Sequence, residues 1–220
     1  MLPKLPPSAA RGIARTVAIN TEKIMRHISI FLFLILVGCK NETKNQSEIG
    51  TENQSEMTTE TEDGIDQSVS EMWNDFTESN PKFKNHEIPE SDFFHNNEKD
   101  ANRLAELTLT GKKRASSGLY KLYQQYNVDL PTVGTKQIVT DFNGKAKAII
   151  ENVSVDTIPF NRISKEYAEL DMGTDIEPLE KWKKAHWDFF ESFLKESGEK
   201  PTEDMLIVAV EFKKIWPKNE

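Results

Sequence analysis

At 220 residues the chain can hold one ordinary domain with appendages, and it is too short to demand two. Its 28 basic and 36 acidic residues give a formal net charge of −8, which speaks against broad electrostatic binding to nucleic acid. The charge is uneven: residues 40–80 hold two lysines and eleven acids, whereas residues 81–220 hold 21 basic and 24 acidic residues, so a local basic patch stays open there.

Residues 1–24, with Leu2-Pro-Lys-Leu-Pro-Pro7, fit neither a fold nor a signal pattern, and translation is expected to start at Met25. Met25-Arg-His opens a short basic region, and Ile28 to Val37 is an almost unbroken apolar run. At about ten residues it is too short to span a bilayer, which takes roughly 20, and it has the length of a secretory signal core. Leu36-Val37-Gly38-Cys39 closes it and resembles the bacterial lipobox, in which the cysteine accepts a lipid and becomes the new N-terminus. Residues 25–39 are therefore read as a lipoprotein signal peptide. Lipidated Cys39 would anchor the protein in the bacterial cell envelope, facing the periplasm or the exterior. The competing reading is a buried strand ending in a core cysteine. As the single cysteine, Cys39 excludes a disulfide framework and a cysteine-based zinc site.

Residues 40–68 are acidic and polar with almost no apolar side chain, too little to offset chain entropy, and are expected to form a disordered tether. Roughly 30 such residues span on the order of 30 Å.

The folded domain is placed at 69–217. Val69, Met72, Trp73 and Phe76 recur at helical spacing, and Asn80-Pro81 ends that helix. Irregular chain with pinned aromatics follows to His95. Asn97 or Asp100 caps a second helix running to Thr110, with Leu104, Leu107 and Ala101 on its apolar face. Leu119, Leu122, Tyr123 and Tyr126 predict a further short helix. Two β-rich runs, 136–142 and 146–155, are joined by Asn143-Gly144, a strong hairpin signal. Pro159 breaks the ladder, residues 163–170 suggest a short helix, and Asp171 to Asp175 read as an acidic loop. Glu177 to Ser197 is the longest helix, stopped by Gly198, and Met205 to Trp216 is a last long strand. The sum is an α+β chain with helices flanking an antiparallel sheet.

One stretch carries the candidate chemistry. Thr108 to Gly118 holds a helix end, the Gly111 turn, three consecutive cations (Lys112, Lys113, Arg114) and the hydroxyls of Ser116 and Ser117. Glycine takes the left-handed conformation without steric cost, so the turn presents these groups where an anion or polar substrate can reach them. The competing reading is a helix C-terminus with lysines complementing its dipole.

Gly111-Lys-Lys-Arg-Ala-Ser116, Val133-Gly134, Ala148-Ile-Ile-Glu-Asn-Val153, Pro159-Phe160, Trp182-Lys-Lys-Ala-His-Trp-Asp-Phe-Phe190 and Pro201-Thr-Glu-Asp-Met205 occur in this order. Together they resemble the ASCH domain family, in particular its longer bacterial branch, over about residues 70–217. The resemblance implies a PUA-like fold, a small antiparallel β-barrel flanked by helices, and a cleft between barrel and helix for a nucleoside, a nucleotide or RNA. Some members are amidohydrolases that deacylate N4-acetylcytidine with a Lys-x-x-Thr pair and an acid. The matching positions are Lys113 and Ser116, with Asp171 or Glu169 as the acid; serine here replaces threonine. Lys112 and Arg114 would depress the Lys113 pKa or hold an anion. The resemblance also makes Trp182 and His186 cleft walls, with Tyr120 and Tyr123 contributing. Without it, Trp182, His186, Phe189 and Phe193 read as a core stripe.

The four histidines show no His-x-x-x-His or His-Cys spacing, so no metal site is expected, and neither a cofactor nor a protein partner is implied. Three readings remain: a binding module for a nucleoside, nucleotide or RNA fragment, an amidohydrolase acting on an acylated nucleoside, and an envelope protein whose cleft takes another small ligand.

Overall fold

A computed structural model describes residues 65–218. The signal peptide, Cys39 and nearly all of the tether, read above from residues 1–64, lie outside the described residues. The elements in order are α1 (Gln67–Ser79), β1 (Ser91–Asp92), α2 (Glu98–Leu109), β2 (Ala115–Leu119), α3 (Tyr120–Tyr126), β3 (Lys136–Thr140), β4 (Ala146–Pro159), α4 (Lys165–Met172), α5 (Pro178–Leu194) and β5 (Leu206–Trp216).

The strands form one sheet in the order β1-β3-β4-β5-β2. Three pairings are antiparallel, and β1 runs parallel to β3 through Ser91 and Asp92. The α+β class holds, but among the described residues the sheet is not closed into a barrel. The edges explain why: β1 offers two residues of ladder, and β2 turns into α3 directly after Leu119. Neither edge has the strand needed to bridge to the other.

Successive strand residues face opposite sides, and this divides the core. Ile138 and Ile149 pack under Val69, Trp73 and Phe76 of α1, while their neighbours Val139 and Ile150 pack with Ala105 of α2 and with Phe212. The third cluster lies between the β2–β5 end of the sheet and the helices α4 and α5. It joins Ala115, Leu119, Ile207 and Ala209 to Phe160, Tyr167, Trp182, Phe190 and Leu194.

Local chemistry sets the helix ends. The Asn97 side chain accepts from the Asp100 amide at 2.9 Å and caps α2, whose first turn carries Glu98 and Asp100 against the dipole. Ser164 caps α4 in the same way through the Tyr167 amide, and Gly173 ends it in the left-handed conformation at φ +65°. Pro178 opens α5 at the position that has no use for an amide hydrogen.

Three sequence readings change. The buried face of α2 is Ala101, Ala105 and Thr108, with Leu104 and Leu107 half-buried on its flanks. Leu119 ends a strand instead of opening a helix. Asp171 belongs to the last turn of α4, fully inside, and not to an exposed acidic loop.

Candidate functional site

The cation bend is the first piece. Gly111 adopts φ +73°, and the amides of Lys112 and Lys113 both donate to the Leu107 carbonyl at 2.9 Å. The chain then straightens into β2, fastened to the end of α4 by the Arg114 amide donating to Leu170 at 2.8 Å. From here burial alternates. Lys112 and Arg114 are exposed, whereas Lys113 and Ala115 point inward.

Lys113 is 4 % exposed and Asp171 2 %. The Lys113 ammonium donates to the Asp171 carboxylate, to the Asp171 carbonyl at 2.9 Å and to the Ala115 carbonyl at 2.7 Å. Its three protons thus have three acceptors, and it also stands 4.9 Å from the centre of the Phe94 ring. The other Asp171 oxygen accepts from the Ser117 hydroxyl at 2.6 Å and from the Trp182 indole at 2.8 Å. The Tyr167 hydroxyl donates to the Ser116 carbonyl at 2.7 Å and lies 3.1 Å from Ser117 Oγ.

Burial alone would raise the Asp171 carboxyl. The Lys113 charge, the bonds from Lys113 and Ser117 and, once it is protonated in acid, the His186 charge outweigh it and hold the carboxyl below its ordinary value. Burial pushes the His186 imidazole down against the pull of Asp171, so the ring is neutral at neutral pH. Its Nδ1 lies 3.0 Å from the Trp182 carbonyl, which can only accept, so Nδ1 carries the hydrogen. Nε2 keeps a lone pair beside the cleft, 3.3 Å from Asp171. Burial, reinforced by Asp171, also raises the Tyr167 phenol, which stays protonated.

These groups floor a cleft of about 490 Å³ between the sheet, α2 and α5. Phe94, His95, Arg103, Met172 and Phe189 wall it, and Lys113, Ser116, Ser117, Asp171 and His186 reach it from below. The cation bend and the tryptophan–histidine helix therefore meet at one site. Trp182 stands behind it, fully buried, stacked on His186 at 4.3 Å and holding Asp171. Lys112, Arg114 and Glu169 are exposed and Tyr120 is half-buried, and none of these four lines the cleft.

Tyr167, Phe94 and His95 carry no cleft signal in the sequence, and the sequence leaves open which of the two hydroxyls, Ser116 or Ser117, faces the carboxylate. Strand parity was the available signal for Ser117: once 115–119 is a strand, Ser117 shares a face with Ala115 and Leu119, and Ser116 does not.

An open mixed sheet with a helix pair over one end and a buried lysine–carboxylate pair in the cleft between them defines a PUA-like α+β class. The ASCH domain family model matches residues 90–216, more than half of the chain, and the chain belongs to that family. It is similar to the crystal structure of an ASCH domain from Lactobacillus crispatus JV V101, with 33% identity and a TM-score of 0.63, over 69% of this chain and 96% of that one. It also resembles protein EF3133 from Enterococcus faecalis V583, at 25% identity and TM-score 0.61, over 68% and 88% of the two chains. No curated protein matches it significantly.

Proposed function

We propose that this ASCH domain binds a nucleoside, nucleotide or RNA-like ligand in the cleft above Lys113 and Asp171. One observation carries the reading: a buried, fully hydrogen-bonded Lys113–Asp171 pair underlies a cleft of small-molecule size edged by aromatic rings. Such a cleft can hold a planar base against Phe94, His95 or Phe189. The Ser117 hydroxyl and His186 Nε2 offer the donors and acceptors that read its edge. Calorimetry with cytidine, uridine, adenosine, guanosine, their 5′-monophosphates and short oligoribonucleotides tests this. Saturable binding that is lost in His186→Leu supports it, and heat-free titrations across the panel overturn it.

A second reading, deacylation of an acylated nucleoside, is favoured by the 2.6 Å bond from Ser117 to Asp171, which polarises a hydroxyl inside the cleft. Binding stands first because Lys113 has no free lone pair while its three protons are placed, and a carboxyl held below its ordinary pKa is a weak base. Chromatographic turnover of N4-acetylcytidine by the wild type, Ser116→Ala and Ser117→Ala decides between them.

The lipobox at Leu36 to Cys39 supports a further part of the proposal, that the domain is held in the bacterial cell envelope, facing the periplasm or the exterior, by lipid on Cys39. Incorporation of labelled fatty acid, absent in Cys39→Ser, is the expected result. Equal labelling of the two would refute it.

A further inference from the structure

A second cavity, about 790 Å³, opens beside the first and shares Phe94, His95, Ser117 and Phe189 with it. Beyond this collar its walls include Leu119, Leu122, Tyr123, Val128, Leu130 and Phe193. Ile88 and Leu130, 48 % and 36 % exposed, continue the apolar surface onto the rim. Gly118 makes room here: a Cβ at that position would stand 2.9 Å from the Tyr123 hydroxyl.

Charge narrows what the two adjacent cavities can hold. The second is bordered by the carboxylates of Glu87, Glu90 and Asp129 and by one cation, Lys136, whose ammonium lies 2.8 Å from Glu151. In the first, Asp171 neutralises Lys113, and Asp100 neutralises Arg103 at 3.1 Å. Every Lys or Arg among the described lining residues therefore already has a carboxylate partner, and the remaining acids give the trough a negative rim. A phosphate needs spare cations or amides, so a polyanionic backbone is disfavoured there. The collar is itself a constrained feature. His95 holds φ +70°, an uncommon conformation for a residue with a Cβ, and its ring centre lies 4.7 Å from that of Phe189.

We propose that the two cavities form one bipartite site for an uncharged ligand. Its polar, nucleoside-like head rests over Lys113 and Asp171, and its apolar acyl or aryl substituent passes the Phe94–His95–Phe189 collar into the second cavity. The head rests on the binding reading above; the apolar subsite stands on the shared collar and the apolar walls. The site thus selects for the substituent and against a phosphate.

The test titrates the full-length protein with cytidine, N4-acetylcytidine, N4-octanoylcytidine and the 5′-monophosphate of the octanoyl compound. The octanoyl compound should bind about tenfold or more tightly than the acetyl one. Leu130→Glu, a change in the wall of the second cavity, should erase that gain, and the 5′-phosphate should weaken binding. Equal affinities for the two acyl compounds, or tighter binding of the phosphate, overturn the proposal. Binding of the neutral dye 1-N-phenylnaphthylamine separates the two halves. Dye fluorescence that is lost in Leu130→Glu, with no cytidine compound bound, keeps the apolar subsite and removes the nucleoside head. No dye binding and no octanoyl gain remove the subsite.

Discussion

Lys113 donates to both the carboxylate and the main-chain carbonyl of Asp171, 58 positions further along the chain. The contact ties the bend before β2 to the last turn of α4 and fixes the floor of the cleft. A buried pair of this kind stabilises little relative to an apolar replacement, but removing one partner strands a charge. Lys113→Met and Asp171→Asn should therefore each lose about 3–5 kcal/mol in urea denaturation, and the double variant clearly less than their sum. Additive losses would mean that the two groups do not interact in solution.

Acid should destabilise the domain in two steps. The His186 imidazole is held below its ordinary value of 6.5 chiefly by burial, so the unfolded chain takes up a proton that the folded one refuses. Stability then falls as pH drops below 6.5 and stops falling once the folded ring is protonated as well. His95, also lowered mainly by burial, adds the same sign. Asp171 is opposite in cause and equal in direction. Its carboxyl lies below the ordinary 3.8, so its contribution is complete above that pH and disappears as pH falls through the folded value. Melting temperature against pH should show both limbs, and His186→Gln should flatten the upper one. A flat profile between pH 7 and 5 in the wild type would refute the histidine argument.

Much of this arrangement is legible in local sequence. The left-handed Gly111, the Asn97 cap, the Asn143-Gly144 hairpin and the Gly198 helix stop are each fixed by a few neighbouring atoms, and the sequence pattern finds them. Local pattern fails where a tertiary partner decides. Asp171 sits in an acidic stretch that reads as solvated, and only Lys113, Ser117 and Trp182, distant in sequence, make its burial tolerable. The triple cation has the same logic. Three adjacent lysine and arginine side chains read as one surface patch, yet extended backbone sends the middle one inward and its neighbours out. The apolar cavity beside the cleft is still less visible, since its walls come from helices, strands and the loop around Leu130.

Gly173 is a single-residue test of how tightly the bend is held. It takes φ +65°, and a Cβ there would lie 3.3 Å from Leu107 Cδ1 and 3.4 Å from the backbone of Lys112 and Lys113. Left-handed strain costs a residue with a side chain roughly 1–2 kcal/mol, and the contact with the bend adds to it. Gly173→Ala should therefore destabilise the domain by about that amount or more and shift the amide resonances of Lys112 and Lys113. Gly198→Ala, whose Cβ would meet nothing within 4 Å, should cost only the backbone strain at φ +73° and leave those resonances in place. Equal effects on the bend from both changes would sink the claim.

Trp182 acts from behind the cleft, and substitution can separate its two contacts. The indole stacks on His186 with ring centres 4.3 Å apart and donates to Asp171 at 2.8 Å. Trp182→Phe keeps an aromatic ring beside the histidine and removes the donor, leaving one buried carboxylate oxygen with a bond fewer. The cost should be about 1–3 kcal/mol of stability, with the acid limb of the Asp171 transition moved to higher pH because the carboxylate has lost a stabilising donor. A ligand that touches the floor of the cleft should feel the change only through Asp171 and His186, so its affinity should change by less than tenfold. Stacking of the indole directly on the ligand predicts the reverse pattern, a large loss of affinity with little change in stability or in its pH dependence. Denaturation at two pH values together with one binding titration distinguishes the two.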